Sequence, residues 1–210
     1  MVRLKKIGLV ASVLILLGSV SVWGSDAYEN YRAKSVGVLV NEKKVKSAGL
    51  LVDIEGSGTT MLPIREVANE LGVFVDWDSK TQTAHLHKPN VDLILATVDK
   101  SNTRETQYGL FQKVASKEPA PPFIVIAQID SMDIPFHSYR FTIRDPGGNI
   151  IYEHELDNDQ GETTDEIMWR TTPSIKLTFD QKGMYVVEFS MKSEENDRLL
   201  TVAKKSFHSQ

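Results

Sequence analysis

The chain has 210 residues, of which 41% are hydrophobic and 25% are charged, and it contains no cysteine. This composition is ordinary for a packed globular protein and argues against a globally disordered chain. The formal net charge of −4 offers no basic field for nucleic acid, so we expect no nucleic-acid partner. The missing cysteines exclude disulfide bonds, thiol catalysis and thiolate metal sites.

The N-terminal segment has the pattern of a secretory signal peptide. Three basic residues precede an apolar stretch: Arg3, Lys5 and Lys6, then Ile7 to Val22. The stretch is short for a transmembrane helix, which needs about 20 apolar residues. Small residues at Ser25 and Ala27 predict a signal peptide of residues 1–27, although cleavage after Gly24 is also open. We therefore expect a secreted or cell-surface protein, held at a membrane only if this segment stays uncleaved.

Hydrophobic periodicity divides the rest of the chain near Pro89 into two predicted domains. The first, residues 35–89, has the pattern β-β-α-β-β. Its helix is predicted by apolar residues at i, i+3, i+4 and i+7, namely Ile64, Val67, Ala68 and Leu71. Gly72 ends this helix, and Gly56 to Gly58 is expected to be a turn or loop. The predicted strands are Val36–Val40, Leu50–Ile54, Val73–Asp76 and Thr83–His87. We expect one helix against a small sheet.

An ordered string of residues in this domain resembles the copper amine oxidase N-terminal-like domain, also called the stalk domain. The string is Thr60-Met61-Leu62-Pro63-Ile64-Arg65-Glu66-Val67-Ala68, then Glu70-Leu71-Gly72, then Val75-Asp76-Trp77-Asp78. The resemblance covers about Ser35 to Lys88. It departs at Glu42, where the family usually has glycine, and at the last strand, which carries two histidines. Copper amine oxidases hold their copper and cofactor in a separate catalytic domain, so the resemblance implies a small non-catalytic module.

The second predicted domain, residues 91–208, is all-β and has the pattern of an immunoglobulin-like sandwich. Short apolar strands recur along it, at Val91–Leu95, Phe123–Ile129, Tyr139–Arg144, Ile150–Tyr152, Ile175–Phe179, Tyr185–Phe189 and Leu199–Ala203. Asp145 to Asn149 has the composition of a hairpin turn, and Thr97 to Pro122 is a long polar connection. The position of Tyr185 is similar to that of a tyrosine near the start of a late strand in such folds.

Two histidines, His85 and His87, have a spacing that metal sites use. Alternate residues of a strand share a face and lie about 6.5–7 Å apart. A copper or zinc site needs three or four ligands, and the other histidines are in the second domain. We therefore expect Ala84 and Leu86 to face the helix and both histidines to face solvent, with a metal site as the alternative.

An acidic run occupies residues 153–166. Its members are Glu153, Glu155, Asp157, Asp159, Glu162, Asp165 and Glu166. With Glu155 as position 1 of a calcium loop, Gln160 stands where an EF-hand requires glycine, so that motif fails. We expect a solvated loop between strands; calcium binding by the run stays open.

The motifs of common enzyme classes are missing. His154-Glu155 lacks the second histidine of a zinc-protease motif, and no nucleophile elbow or phosphate loop follows the signal region. We predict no catalytic, cofactor or metal residues. Trp77 is expected to cover one end of the helix, and Arg65 to pair with strand carbonyls or with Asp76 or Asp78.

The sequence favours an exported, non-catalytic bacterial envelope protein in which an α+β stalk-like domain precedes an immunoglobulin-like sandwich. Its partner would be a cell-wall polymer or an extracellular protein. Two alternatives remain open. One is a secreted protease inhibitor or regulator that uses sandwich loops such as Asp145 to Asn149. The other is a metal-binding protein that uses His85 and His87.

Overall fold

The computed structural model describes residues 32–54, 57–99, 107–111, 114–130, 132–164, 167–193 and 198–210. The predicted signal peptide lies outside these ranges. Within them the chain is mostly β, with fifteen strands and one short helix, and no helix among them is long and apolar enough to span a membrane. The chain divides into two compact units, Met1–Pro63 and Ile64–Gln210.

The first unit contains five short strands. They are β1 (Arg32–Val36), β2 (Leu39–Val40), β3 (Lys43–Lys44), β4 (Gly49–Ile54) and β5 (Ser57–Met61). β1, β4 and β5 form an antiparallel sheet in that order, and β2 pairs with β3. Asn41 and Glu42 join β2 to β3 with φ angles of 48° and 66°. Positive φ at both central residues is the geometry of a tight hairpin turn, which glycine adopts most readily.

The second unit begins with the predicted helix and hairpin. These are α1 (Ile64–Glu70), β6 (Phe74–Asp78) and β7 (Thr83–His87). Gly72 follows the helix with a φ of 68°, as expected of a residue that ends a helix in the left-handed conformation. The Asp78 carboxylate closes the hairpin turn because it accepts hydrogen bonds from the Lys80 N–H (2.8 Å) and the Thr81 hydroxyl (2.7 Å).

The rest of this unit is two four-stranded antiparallel sheets. Sheet I has the order β13-β10-β8-β9, where β8 is Asn90–Asp99, β9 is Gln107–Leu110, β10 is Phe123–Asp130 and β13 is Met168–Thr171. Sheet II has the order β12-β11-β14-β15, where β11 is Met132–Arg144, β12 is Ile150–Thr164, β14 is Gly183–Ser193 and β15 is Leu200–Ser209. Apolar side chains from both sheets form one core, and Phe123, Val125, Phe141, Val187 and Phe189 in it are fully buried.

Tyr185 fixes the start of β14. Its ring is buried against Phe179 and Phe207, and its hydroxyl both donates to the Gln181 carbonyl (2.9 Å) and accepts from the Gln181 N–H (3.1 Å). A tyrosine hydroxyl that bonds to the backbone a few residues upstream is a feature of immunoglobulin-like sandwiches. Tyr185, singled out in the sequence by its position near the start of a late strand, makes hydrogen bonds of this kind.

Four local predictions were wrong. Residues 36–40, expected to be one strand, are divided between β1 and β2, and Gly37 and Val38 belong to neither. Ser57, placed in a turn or loop, begins β5. The acidic run was expected to be a loop, but β12 extends through it to Thr164 and pairs with β11. The last two acidic residues, Asp165 and Glu166, lie outside the described residues. Residues 175–179 form no strand, although isolated bridges join Ile175 to Phe123 and Thr178 to Pro119.

In the chain, the boundary between the two compact units falls between Pro63 and Ile64, whereas the sequence divided the chain near Pro89. The helix and hairpin belong to the second unit because Phe74, 3% exposed, lies in the same core as Leu93 and Leu95. A Cβ on Gly72 would lie 2.9 Å from the Thr201 carbonyl of β15, so the end of the helix also packs closely there. The domain bounds 35–89 and 91–208 stay a prediction.

Candidate functional site

The outer side of sheet I presents an exposed aromatic surface, which we call the Trp169 face. It consists of Asp92, Ile94, Ile126, Gln128, Trp169 and Thr171. The register places Trp169, Gln128 and Asp92 in one row across β13, β10 and β8, with Thr171, Ile126 and Ile94 in the next. Side chains opposite one another in antiparallel strands share a face. Trp169 is 50% exposed and Ile94 is 41% exposed, so the face presents large apolar groups to solvent at both ends of these two rows.

A polar margin borders the Trp169 face. The Asn90 amide donates to Asp130 at 3.4 Å, and the Gln128 amide donates to the same carboxylate at 3.5 Å. Both distances are at the long limit for a hydrogen bond, so these amides retain hydrogen-bonding capacity. The margin combines donors and acceptors beside an apolar surface.

The outer side of sheet II carries ion pairs. Glu188, 9% exposed, accepts hydrogen bonds from Arg144 (2.8 Å) and Lys204 (2.7 Å). Burial alone would raise the pKa of Glu188, but the hydrogen bonds and positive charges of Lys204 and Arg144 outweigh burial and lower that pKa. Arg144, Glu188 and Lys204 therefore form a structural triad that joins β11, β14 and β15.

The acidic residues at the start of β12 pair with Arg140. Glu155 lies 2.6 Å and Glu153 lies 3.3 Å from its guanidinium. Arg140 therefore offsets part of the negative charge of these two carboxylates across the β11–β12 ladder. The side chains of Asp159 and Glu162 lie outside the described residues, so calcium binding by residues 153–166 stays open.

His85 and His87 lie side by side on β7. Their ring centroids are 6.4 Å apart and their planes differ by 23°. Each centroid of a zinc-bound imidazole is about 3.2 Å from the ion, so two tetrahedral ligands bring their centroids to roughly 5.2 Å. The observed pair is wider than this. In the described ranges no group of three or more His, Asp or Glu side chains is arranged to hold a metal ion.

Comparison with known proteins gives a family for part of the chain. Residues 39–124 match the copper amine oxidase N-terminal domain. The match confirms the resemblance drawn from the string around Pro63 and Trp77, and it continues past Lys88 as far as β10. It covers less than half of the chain. No match was found among curated proteins.

Two large apolar residues of the matched copper amine oxidase N-terminal domain are exposed. Trp77 is 51% exposed and Leu86 is 52% exposed on the same hairpin face, so Leu86 is not buried against the helix as expected. Arg65 is exposed and makes no hydrogen bond or ion pair within the described part of the chain. Among the described residues, Arg65 therefore makes none of the expected pairings with strand carbonyls, Asp76 or Asp78, and the Asp78 carboxylate accepts from Lys80 and Thr81 instead.

Two solved structures show distant likeness to the chain. The Northeast Structural Genomics Consortium target SoR45 is 14% identical, with a TM-score of 0.33, and the match covers 58% of this chain and 87% of that one. The CARDB domain of the PF1109 protein from Pyrococcus furiosus, solved with di-metal ions, is 14% identical with a TM-score of 0.32 and coverages of 64% and 97%. At TM-scores this low, neither structure indicates a function for the chain.

The sequence did not single out the Trp169 face. One indication was present in β8 and β10, because runs such as Leu93-Ile94-Leu95 and Ile124-Val125-Ile126 are apolar at successive positions. A strand that is apolar on both faces must place one of them outside the core or under another layer. The position of Trp169 beside them depends on strand pairing, which periodicity does not reveal.

Proposed function

We propose that this protein is an exported, non-catalytic component of a bacterial envelope that binds cell-wall polymer. The match of residues 39–124 to the copper amine oxidase N-terminal domain carries the proposal, because that domain is an accessory module separate from the copper and its chemistry. The predicted signal peptide of residues 1–27 supports export. In this account an α+β stalk-like module precedes an immunoglobulin-like sandwich, and neither performs catalysis.

The exposed surfaces favour binding. The Trp169 face offers apolar and hydrogen-bonding groups on a rigid sheet, since β8 and β10 beneath it are anchored by buried Leu93, Leu95 and Val125. A site on strands is held more firmly than one on loops. A partner can therefore bind the Trp169 face without a cost in conformational entropy for ordering the strands beneath it.

Sedimentation with isolated cell-wall sacculi tests the proposal. The purified full chain is mixed with sacculi and centrifuged, and the pelleted fraction is measured against a sacculus-free control. We expect saturable pelleting, and we expect the chain to be found outside the cytoplasm on fractionation. A chain that stays in the supernatant at every sacculus concentration would refute wall binding.

A protease inhibitor or regulator is the second candidate, because residues 146–149 of the loop Asp145 to Asn149 are exposed and the buried Asp145 braces them. The Asp145 carboxylate accepts hydrogen bonds from the Asn149 N–H (2.8 Å) and its side-chain amide (3.0 Å). A braced loop loses little entropy when it binds. Inhibition of a secreted protease, with no pelleting on sacculi, would favour this candidate. The metal-binding alternative through His85 and His87 stays a prediction that the width of the pair does not support.

A further inference from the structure

We propose that the Trp169 face binds a neutral glycan chain, with sugar rings stacked on Trp169 and over Ile126 and Ile94. This inference rests on the proposed wall-binding function and names its site and ligand class. A sugar ring has an apolar C–H face and a hydroxyl rim, so its binding site needs an exposed aromatic or aliphatic surface next to hydrogen-bonding groups. The outer side of sheet I supplies both.

The apolar part of the site has the dimensions of a short run of linked rings. Neighbouring strands are about 4.8 Å apart and alternate residues along a strand are about 6.5–7 Å apart. The three strands and two rows of the Trp169 face therefore cover a surface roughly 10 Å by 7 Å. Trp169 stands at its β13 edge with half of its surface exposed. Tryptophan supplies a large, rigid contact area with a polar N–H at its margin.

The polar part of the site can reach the hydroxyl rim. Gln128 lies directly opposite Trp169 on the neighbouring strand, and Asp92 lies opposite Gln128. The 3.4–3.5 Å contacts of Asn90 and Gln128 to Asp130 are weak enough to be replaced by bonds to sugar hydroxyls. Carboxylates that accept from hydroxyl donors strengthen such contacts.

The charge of the surface selects a neutral ligand. Asp92 and Asp130 are the charged groups among the described side chains that register places on this side of sheet I. Arg170, next to Trp169 in the chain, lies over the rings of Phe136 and Tyr139 on the core side, at 6.0 and 5.6 Å. An anionic polymer would meet carboxylates without a compensating cation, so a hydroxyl-rich, uncharged chain fits best.

Tryptophan fluorescence gives a direct test because the chain has three tryptophans, at 23, 77 and 169. In the full chain carrying Trp23→Phe and Trp77→Phe, Trp169 is the sole reporter. We expect chitohexaose, a neutral β-linked hexasaccharide, to shift its emission saturably. The matched chain carrying Trp23→Phe and Trp169→Phe reports from Trp77, which is equally exposed, and should stay silent. A response from Trp77 alone would overturn the assignment.

Alanine variants measure the contribution of the face. Trp169→Ala should weaken chitohexaose binding by about tenfold or more, as expected when a tryptophan that stacks on the ligand is removed, and Trp77→Ala should leave it unchanged. Gln128→Ala, which changes only the polar margin, should weaken chitohexaose binding severalfold. It tests the face independently if Trp169→Ala does not fold. Hexagalacturonate, an anionic hexasaccharide, should bind more weakly than chitohexaose. Wild-type affinity in both face variants, or tighter binding of hexagalacturonate, would refute the site.

Three further outcomes separate this inference from others. If sacculi pellet Trp169→Ala as well as the wild type, wall binding stands and this site for it fails. If the wild type does not pellet on sacculi, the proposed function fails first. A dimer that Trp169→Ala converts to a monomer would show that a second copy of the chain covers the face, and would overturn the glycan proposal.

Discussion

At the residue scale, the hydroxyl of Tyr185 is an informative group because it bonds to both the N–H and the carbonyl of Gln181, two residues before β14 begins. Tyr185→Phe keeps the ring packing against Phe179 and Phe207 and removes both hydrogen bonds. We expect it to lower the free energy of unfolding by about 1–3 kcal/mol, since two backbone groups lose their partner. Urea denaturation measures the change.

The control for this variant is Tyr108→Phe, because Tyr108 is 62% exposed on β9. Its free energy of unfolding should change by no more than about 0.5 kcal/mol. Equal stability of Tyr185→Phe and the wild type would show that the hydrogen bonds to Gln181 contribute nothing.

Glu188 makes stability depend on pH. Its pKa is lowered in the folded state, so the unfolded chain, with a value near the ordinary 4.5, takes up a proton more readily. The interactions with Arg144 and Lys204 therefore stabilise the fold above pH 4.5, and this contribution is lost as pH falls through the lower pKa of the folded state. We expect Glu188→Gln to cost about 1 kcal/mol at neutral pH, because both partners are partly exposed.

The same variant should show a smaller loss of stability between neutral and acid pH than the wild type, measured by urea denaturation at a series of pH values. Glu118→Gln, at an exposed position, is the control and should keep the wild-type profile. An unchanged pH profile in Glu188→Gln would contradict the role given to the triad.

Single residues were predictable from sequence where their role is local. Gly72 ends the helix with a positive φ, and Tyr185 lies where its spacing from Phe179 and Gly183 predicted. Trp169 was not predictable, because its exposure follows from pairing with Gln128, about 40 residues earlier in the chain. Non-local pairing leaves no periodic trace around Trp169 itself.

At the element scale, the β2–β3 turn shows why the family usually has glycine at the position of Glu42. Its φ of 66° is one that glycine adopts without strain, whereas a residue with a Cβ pays roughly 1–2 kcal/mol there. Glycine in turn loses about 0.5–1 kcal/mol of backbone entropy on folding. We expect Glu42→Gly to stabilise the hairpin by up to about 1 kcal/mol, seen as slower hydrogen exchange of the Val45 N–H, which donates to Val38.

Glu42→Ala is the matched control for the turn. It removes the carboxylate and keeps the Cβ, so it should give no such gain. Equal protection of the Val45 amide in the glycine and alanine variants would show that the backbone of Glu42 is not strained.

The elements show where periodicity works and where it does not. It predicted the helix, the β6–β7 hairpin and most sandwich strands, because each has its own alternation of apolar and polar residues. In residues 175–179 the alternation predicted burial, since Ile175 and Phe179 are buried, but the segment makes only isolated bridges. β12 was shortened because its acidic residues were assigned to a loop, whereas Arg140 on the neighbouring strand pairs with Glu153 and Glu155.

At the scale of the whole molecule, the family match and the compact units do not share boundaries. The match to residues 39–124 begins in the first unit and ends at β10 of the second. Hydrophobic periodicity and family motifs depend on residues that are neighbours in the chain. The compact units depend on packing between residues far apart in the chain, such as that of Phe74 with the sandwich core. A boundary near Pro89 was therefore a natural expectation from local sequence.

Sedimentation with cell-wall sacculi tests wall binding through the Trp169 face when three chains are compared: the wild type, Trp169→Ala and Trp77→Ala. We expect the wild type and Trp77→Ala to pellet with the same affinity, and we expect the affinity of Trp169→Ala for sacculi to be about tenfold lower or more. A wild-type chain that remains in the supernatant would contradict wall binding itself.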